Sequence, residues 1–413
     1  MNYELHNICS LISEKIKINE KINENTINLH NYISTENMLP NREGVRNAEK
    51  LPSTNSINTF SKNDVLISNI RPYFKKIWFA NYDGGCSGDI LVLRPKKNIH
   101  PLFLYYILSN DEFFEYATLT AKGTKMPRGD KTAIMKYEVP DISLEKQTWI
   151  VEKLKYIDEK ISINNKINHN LQQIIKLLFK AWFIDFDPFK KNGMKESELG
   201  LIPKKWDIIE LKDIFDVFNG YSYKGNELQE SNNAMVTIKN FDRNGGFKLD
   251  GFKEIIFSDK IKDYHFVNLF DVIVAHTDVT QNADIIGNAA ILLNKMNYDK
   301  IIMSMDLVKV SSKIPQINNF LLVSILDNYR FKGHALGYVN GTTVLHLNKK
   351  AVPDYKIALP QDLSICEKLG GIIEKIYIQI STNNREIFKL TELRDIMLPK
   401  LMNGEIDISN ADF

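Results

Sequence analysis

Apolar residues along this chain follow two rhythms. Short alternating runs, such as "DVLIS" from Asp64, "DILVLRP" from Asp89, "DVIVAH" from Asp271 and "MDLVKV" from Met305, predict strands bounded by turns. Between them, "HPLFLYYILSNDEFFEYA" and "INNFLLVSILDNYRFKGHA" have helical texture. That α+β mixture fills residues 1–142 and returns over 193–360. After Pro140 and again after Pro360 the period changes. Ile150, Leu154, Ile157 and Ile161, then Leu171, Ile175, Leu178 and Trp182, recur at spacings of four and three, with Asn164 and Asn168 filling the seam between them. The same register reappears at Leu369, Ile373, Ile376, Ile380, Asn383, Ile387 and Leu390, then at Arg394, Met397 and Leu401. This is a heptad pattern, and no proline is expected to interrupt either stretch. It predicts long helices within 143–192 and 361–413, the first roughly 57 Å long at about 1.5 Å per residue.

The return of each rhythm points to a tandem duplication. Tyr3 in "YELHNI" matches Trp206 in "WDIIEL", and Asp64 matches Asp271. "NYD" at Asn81 returns at Asn297, Ser87-Gly88-Asp89 as Ser304-Met305-Asp306, and the Gly-Thr of "KGT" at Lys122 as that of "NGT" at Asn340. The matches keep their order, and their separation grows along the chain as small loop insertions in a second copy would make it. Each helix could pack on its own α/β unit, or the two could pack on each other. In the second case a pseudo-twofold axis makes them antiparallel and sets Asn164 opposite Asn383 as a polar layer fixing register.

With 413 residues, two or three domains are expected. Fifty-three basic against 51 acidic residues leave a net charge of only +2, so any basic surface must be local. Cys9, Cys86 and Cys366 lie far apart, which suits a reducing compartment. The polar N-terminus is no signal peptide and no stretch is apolar enough to span a bilayer, so a cytoplasmic location is expected.

"LLFKAWFIDFDPFK" (177–190) closes the first helix and "LRDIMLPKLMNGEIDIS" (393–409) the second. With Gly123-Thr124 and Gly341-Thr342 before the helices, these motifs resemble the specificity subunit of type I restriction–modification enzymes over the whole chain. The resemblance implies a target recognition domain at 1–142, a central conserved helix and linker at 143–192, a second recognition domain at 193–360 and a C-terminal conserved helix and tail at 361–413. It implies that the helices form an antiparallel coiled coil separating two pseudo-symmetric domains. It further implies a non-catalytic chain in which each domain reads half of a split DNA target and the helices set the spacer. Two methyltransferase subunits would dock on the helices and bring S-adenosylmethionine. Motor-nuclease subunits would use ATP and Mg. The alternatives are a coiled-coil interaction scaffold, or the reader part of a fused restriction–modification enzyme.

Reading DNA needs cations for phosphates and planar or forked side chains for base edges. In the first unit Arg71, Tyr73, Lys75 and Lys76 follow a predicted strand. Lys122, Lys125, Arg128 and Lys131 crowd a Gly/Pro-punctuated loop opposed only by Asp130. In the second unit the candidates are Lys239, Asn240 and Arg243; His276, Thr277, Gln281 and Asn282; and Lys332, His334 and Tyr338.

Catalytic patterns fail on inspection. Pro140-Asp141 with Asp158-Glu159-Lys160 fits a metal-nuclease spacing, but the latter three fall in the heptad helix and read as solvated face. "FDPF" (186–189) lacks the second proline of an amino-methyltransferase motif, and "GGCSG" (84–88) precedes a strand rather than opening a helix. His6 and Cys9 lack a second ligand pair for zinc, and Cys86 reads as a buried thiol. No catalytic or metal-binding residue is expected.

Overall fold

The computed structural model describes residues 2–17, 21–22, 25–243, 245–280 and 282–402. It divides into two compact units, Met1–Lys160 with Leu390–Phe413, and Ile161–Lys389. Each long helix therefore belongs partly to both.

The first unit is built on an antiparallel sheet ordered Cys9–Ile12, Ile90–Pro95, Val65–Ser68 and Ile77–Phe79. Alternation along these strands sorts the core. Val65, Ile67, Leu91 and Leu93 meet Phe103, Leu104 and Phe113 of the helices Pro101–Ser109 and Asp111–Leu119. Leu66, Ile90 and Val92 turn to the other face, onto Phe60 and Cys86. Both faces are covered, so the strands read as continuous apolar runs. The second unit repeats the order with Phe215–Asn219, Leu307–Ser312, Val272–Ala275 and Ala289–Ile291. Its covering helices are Asn319–Leu326 and Tyr329–Leu336.

The repeated polar residues turn out to be turn-formers. Asp64 accepts the Ser61 amide at 2.7 Å and Asp271 the Asn268 amide at 2.9 Å, each closing the turn that launches a central strand. At Ser87 and Ser304 it is the backbone carbonyl that accepts, from the amides of Ile90 and Leu307, both at 3.0 Å, at the start of the neighbouring strand. One match is corrected. Tyr3 pairs with Val139 as Ile209 pairs with Ile357, so "YELHNI" corresponds to "IELKDI" (209–214) rather than to the stretch beginning at Trp206. Trp206 instead packs on Phe183, Phe186 and Phe189, with ring centroids 5.1–5.2 Å away. That packing gives "FDPF" a structural role. Packing also explains the first two glycines of "GGCSG": a Cβ on Gly84 would lie 2.2 Å from the Asn31 carbonyl oxygen, and one on Gly85 2.2 Å from the Ile57 side chain.

The helices span Leu144–Phe179, continued by a π turn at Lys180–Ile184, and Ser364–Met402. Against expectation the second contains Pro399. It sits in the last turn, where a missing amide breaks only the end of the ladder. In the second unit the helices run antiparallel, because rising numbers on one meet falling numbers on the other. Asn164 Nδ2 donates to Glu386 Oε2 (2.8 Å), Asn168 Nδ2 to Asn384 Oδ1 (2.8 Å), and Asn383 Nδ2 to Asn168 Oδ1 (2.7 Å). A buried polar layer exists, but Asn383 faces Asn168, one turn from the expected Asn164. Ile175, Leu369, Ile373 and Ile380 also join the core of that unit's sheet and helices, so the stripes serve both proposed packings. In the first unit Ile150, Leu154, Leu398 and Leu401 share one core. Of the named seam positions, Ile161, Leu171, Ile376, Ile387 and Leu390 are only partly buried. Arg394, at a seam position, donates to Asp158 at 3.0 Å, and Asp158 also accepts from Tyr106 at 2.8 Å. Asp158 is thus a half-buried bridging carboxylate, not the solvated face expected.

Candidate nucleic-acid interface

Two small ribbons occupy matching places in the copies, the first held by isolated bridges and the second three-stranded. In the first, Arg128 bridges Lys122 on one side and Ile70 on the other. In the second, His346 pairs with Asn340 and with Thr277. Each tip turns on a left-handed glycine, Gly123 (φ +94°) and Gly341 (φ +104°). Residues 122–126 and 340–344 are all exposed. Thr343 and His346, beside Asn340 of the polar loop "RFKGHALGYVNGTT", were thus missed; extending the "KGT"/"NGT" match by four residues would have found them.

Around the first ribbon the predicted cations divide. Lys122 pairs with Asp130 (2.6 Å) and Arg128 with Asp89 (3.2 Å), while staying 81% and 57% exposed. Lys125 and Lys131 are exposed. The ribbon is tied to the loop after strand Val65–Ser68 by Arg71 N to Pro127 O (2.8 Å) and Gly129 N to Asn69 O (3.0 Å). On that loop Tyr73 is exposed and packs on Phe74. Lys75 and Arg42 both hold Asp111. Lys76 donates to the Thr35 carbonyl at 2.6 Å, and burial lowers its pKa. Lys75 and Lys76 are therefore already engaged, and Arg71 is half-buried above the Phe74 ring.

In the second unit most candidates prove structural. Asn240 is fully buried, linking the Thr237 amide to the Lys248 carbonyl. His276 and Thr277 are buried, and burial pulls the His276 imidazole down to about 4. Lys332 donates to the carbonyls of Ala283, Asp284 and Ile286 and to Asn288 Oδ1 at 2.6–3.3 Å. His334 bonds the Ala351 carbonyl (2.8 Å) and Tyr338 donates to Asp354 (3.1 Å). Asn240, Lys332, His334 and Tyr338 look like readers in sequence but brace loops, while His276 and Thr277 are withdrawn by burial. Lys239, Arg243 and Asn282 remain exposed, while Gln281 lies outside the described residues. The fully buried Asp278 shapes the same loop: burial raises its pKa, but amides of Thr280, Ile285 and Ile286 outweigh that and hold it below the usual range.

No group of three His, Cys, Asp or Glu among the described residues could hold a metal ion. Burial pushes the thiols of Cys9, Cys86 and Cys366 up to about 12. No described helix is long and apolar enough to cross a membrane. What the surface offers is paired, exposed, polar ribbon tips on a duplicated scaffold. The model of the type I restriction modification DNA specificity domain matches twice, at residues 1–173 and 203–392.

The chain belongs to the type I restriction–modification DNA specificity family.

Curated relatives agree with this assignment. The MjaIX specificity subunit of Methanocaldococcus jannaschii is 26% identical, with 88% of this chain and 83% of that one covered. The HindI specificity subunit of Haemophilus influenzae is also 26% identical, covering 91% and 94%. The crystal structure of a type I S subunit from M. genitalium shares the fold, with TM-score 0.53 and 15% identity over 97% of this chain and 96% of that one. The expected class, α+β with duplicated domains and long paired helices, is the observed one. Within its system the chain is the specificity subunit, and catalysis belongs to other subunits. The C-terminal signature beyond Met402, including Gly404, Glu405 and Ile406, lies outside the described residues.

Proposed function

We propose that this specificity subunit reads a bipartite DNA target, each copy taking one half and the helices setting the spacer. The observation that carries it is the ribbon pair: one backbone written twice, with different exposed polar side chains at its tips. A duplicated reader with unlike tips suits two half-sites of unlike sequence. The four segments 1–142, 143–192, 193–360 and 361–413 are the corresponding division of labour.

The partners are methyltransferase subunits, bearing S-adenosylmethionine, and motor-nuclease subunits, bearing ATP and Mg, in the cytoplasm. A second apolar stripe on the first helix supports docking of the former. Ile163, Ile167, Ile174 and Leu177 follow heptad spacing on the flank of the seam, and are 51%, 42%, 44% and 65% exposed. The test is single-molecule methylation mapping of DNA from cells with and without the gene. A split adenine-methylated motif that vanishes on deletion supports the reading; an unchanged methylome refutes it.

A further inference from the structure

The two ribbons keep their shape and change their charge. Lys122, Lys125 and Arg128 of the first correspond to Asn340, Thr343 and His346 of the second, around an identical Gly-Thr. Both tips turn on a left-handed glycine, and the second turn is the tighter: a Cβ on Gly341 would lie 2.3 Å from the Val344 carbonyl oxygen, and one on Gly123 3.7 Å from that of Met126. What differs around this shared turn is the chemistry. The first tip carries three cations; residues 340–346 contain no lysine or arginine.

The ion pairs of the first tip do not tie its cations down. Lys122 to Asp130 and Arg128 to Asp89 are ion pairs whose cations face solvent, and a phosphate can displace them. Lys125 has no ion pair with any described residue. Asp130 is also engaged as the cap of helix Lys131–Ile134, accepting the amides of Thr132 (2.9 Å) and Ala133 (3.3 Å), so it stays in place if Lys122 leaves. In the second tip Asn340, Thr343 and His346 can pair with base edges but cannot neutralise phosphate as lysine does.

We propose that the two ribbons divide the work of recognition: Lys122, Lys125 and Arg128 grip phosphates at the first half-site, while Asn340, Thr343 and His346 discriminate bases at the second without phosphate neutralisation. This rests on the reading of the chain as a DNA-target subunit. Each phosphate contact contributes about 0.9 to the slope of log affinity against log salt, so three contribute roughly 2.7, or ~40-fold over a fourfold salt range.

The full chain, co-purified with its methyltransferase subunits, is titrated with target and scrambled duplexes between 50 and 200 mM salt. K122Q/K125Q/R128Q should flatten the slope by about 2–3, while N340A/T343V/H346A should leave it within about 0.5. The second variant should lose fivefold or more of the preference for the correct second half-site, at about 1–3 kcal/mol per lost base contact. Unchanged melting temperatures, expected for exposed positions, separate these effects from misfolding. A slope change below 1 for the first variant, or equal changes for both, overturns the division of labour. A parent complex that binds both duplexes alike refutes target reading instead, and the slope comparison on either duplex still judges the phosphate grip.

Discussion

The polar layer between the long helices makes a prediction whose sign changes with the number of substitutions. Asn168 sits at its centre, accepting from Asn383 (2.7 Å) and donating to Asn384 (2.8 Å), while Gln379 donates to Asn383 at 2.8 Å. Asn168 and Asn383 are 7% and 5% exposed, so water cannot replace a lost partner. Replacing Asn168 by Leu strands the buried Asn383 amide, a penalty of about 1–3 kcal/mol, and costs the net value of a second bond, about 1 kcal/mol. Burying the new side chain returns about 1.5 kcal/mol in an imperfect fit. The single variant should lose about 0.5–2.5 kcal/mol, and Asn383→Leu alone about the same. The pair together leaves no stranded Asn383 amide and packs Leu on Leu, so it should match or exceed the parent. Thermal unfolding reads this as a fall of ~1–10 °C for each single variant and recovery in the double, at about 2–4 °C per kcal/mol for a unit of this size. Additive losses would refute the argument, because they would mean that the two amides do not depend on each other.

Two further outcomes follow from polar residues that the fold buries or engages. His276 has a folded pKa of about 4 against an ordinary 6.5, so only the unfolded chain takes up its proton between those values. Its contribution is complete above about pH 6.5 and is lost as pH falls towards 4, a cost near 3 kcal/mol at about 1.4 kcal/mol per unit. Urea unfolding at pH 6.5 and 4 should show the parent losing about that much more than His276→Phe, and parallel losses would contradict the burial argument. Lys332→Met should lower stability by about 2–3 kcal/mol, by stranding the carbonyls that Lys332 gathers, yet leave the salt slope of DNA binding within about 0.5. An unchanged melting temperature with a slope flatter by about 1 would make it a phosphate contact.

What the sequence by itself determined is whatever depends on neighbours along the chain. Period two and the heptad period announced the strands and the long helices, because burial on one face or stripe imposes that spacing locally. Duplication was legible because Asp64 and Asp271, or Ser87 and Ser304, close the same local turns. Tertiary structure decided what depends on distant partners. Asn383 met Asn168 rather than Asn164, because an antiparallel register is set by packing across both helices. Asp158 became a bridge because Tyr106 and Arg394 arrive from remote segments. Asn240 and Lys332 looked like readers and became braces, since only three dimensions bring carbonyls and amides around them, while burial withdrew His276. The ribbons lay between these cases: their Gly-Thr was visible, but the strands that aim Arg128 and His346 were not. A polar side chain in a loop has the same letter whether it faces solvent or a buried carbonyl, and the choice rests on which segments fold against it.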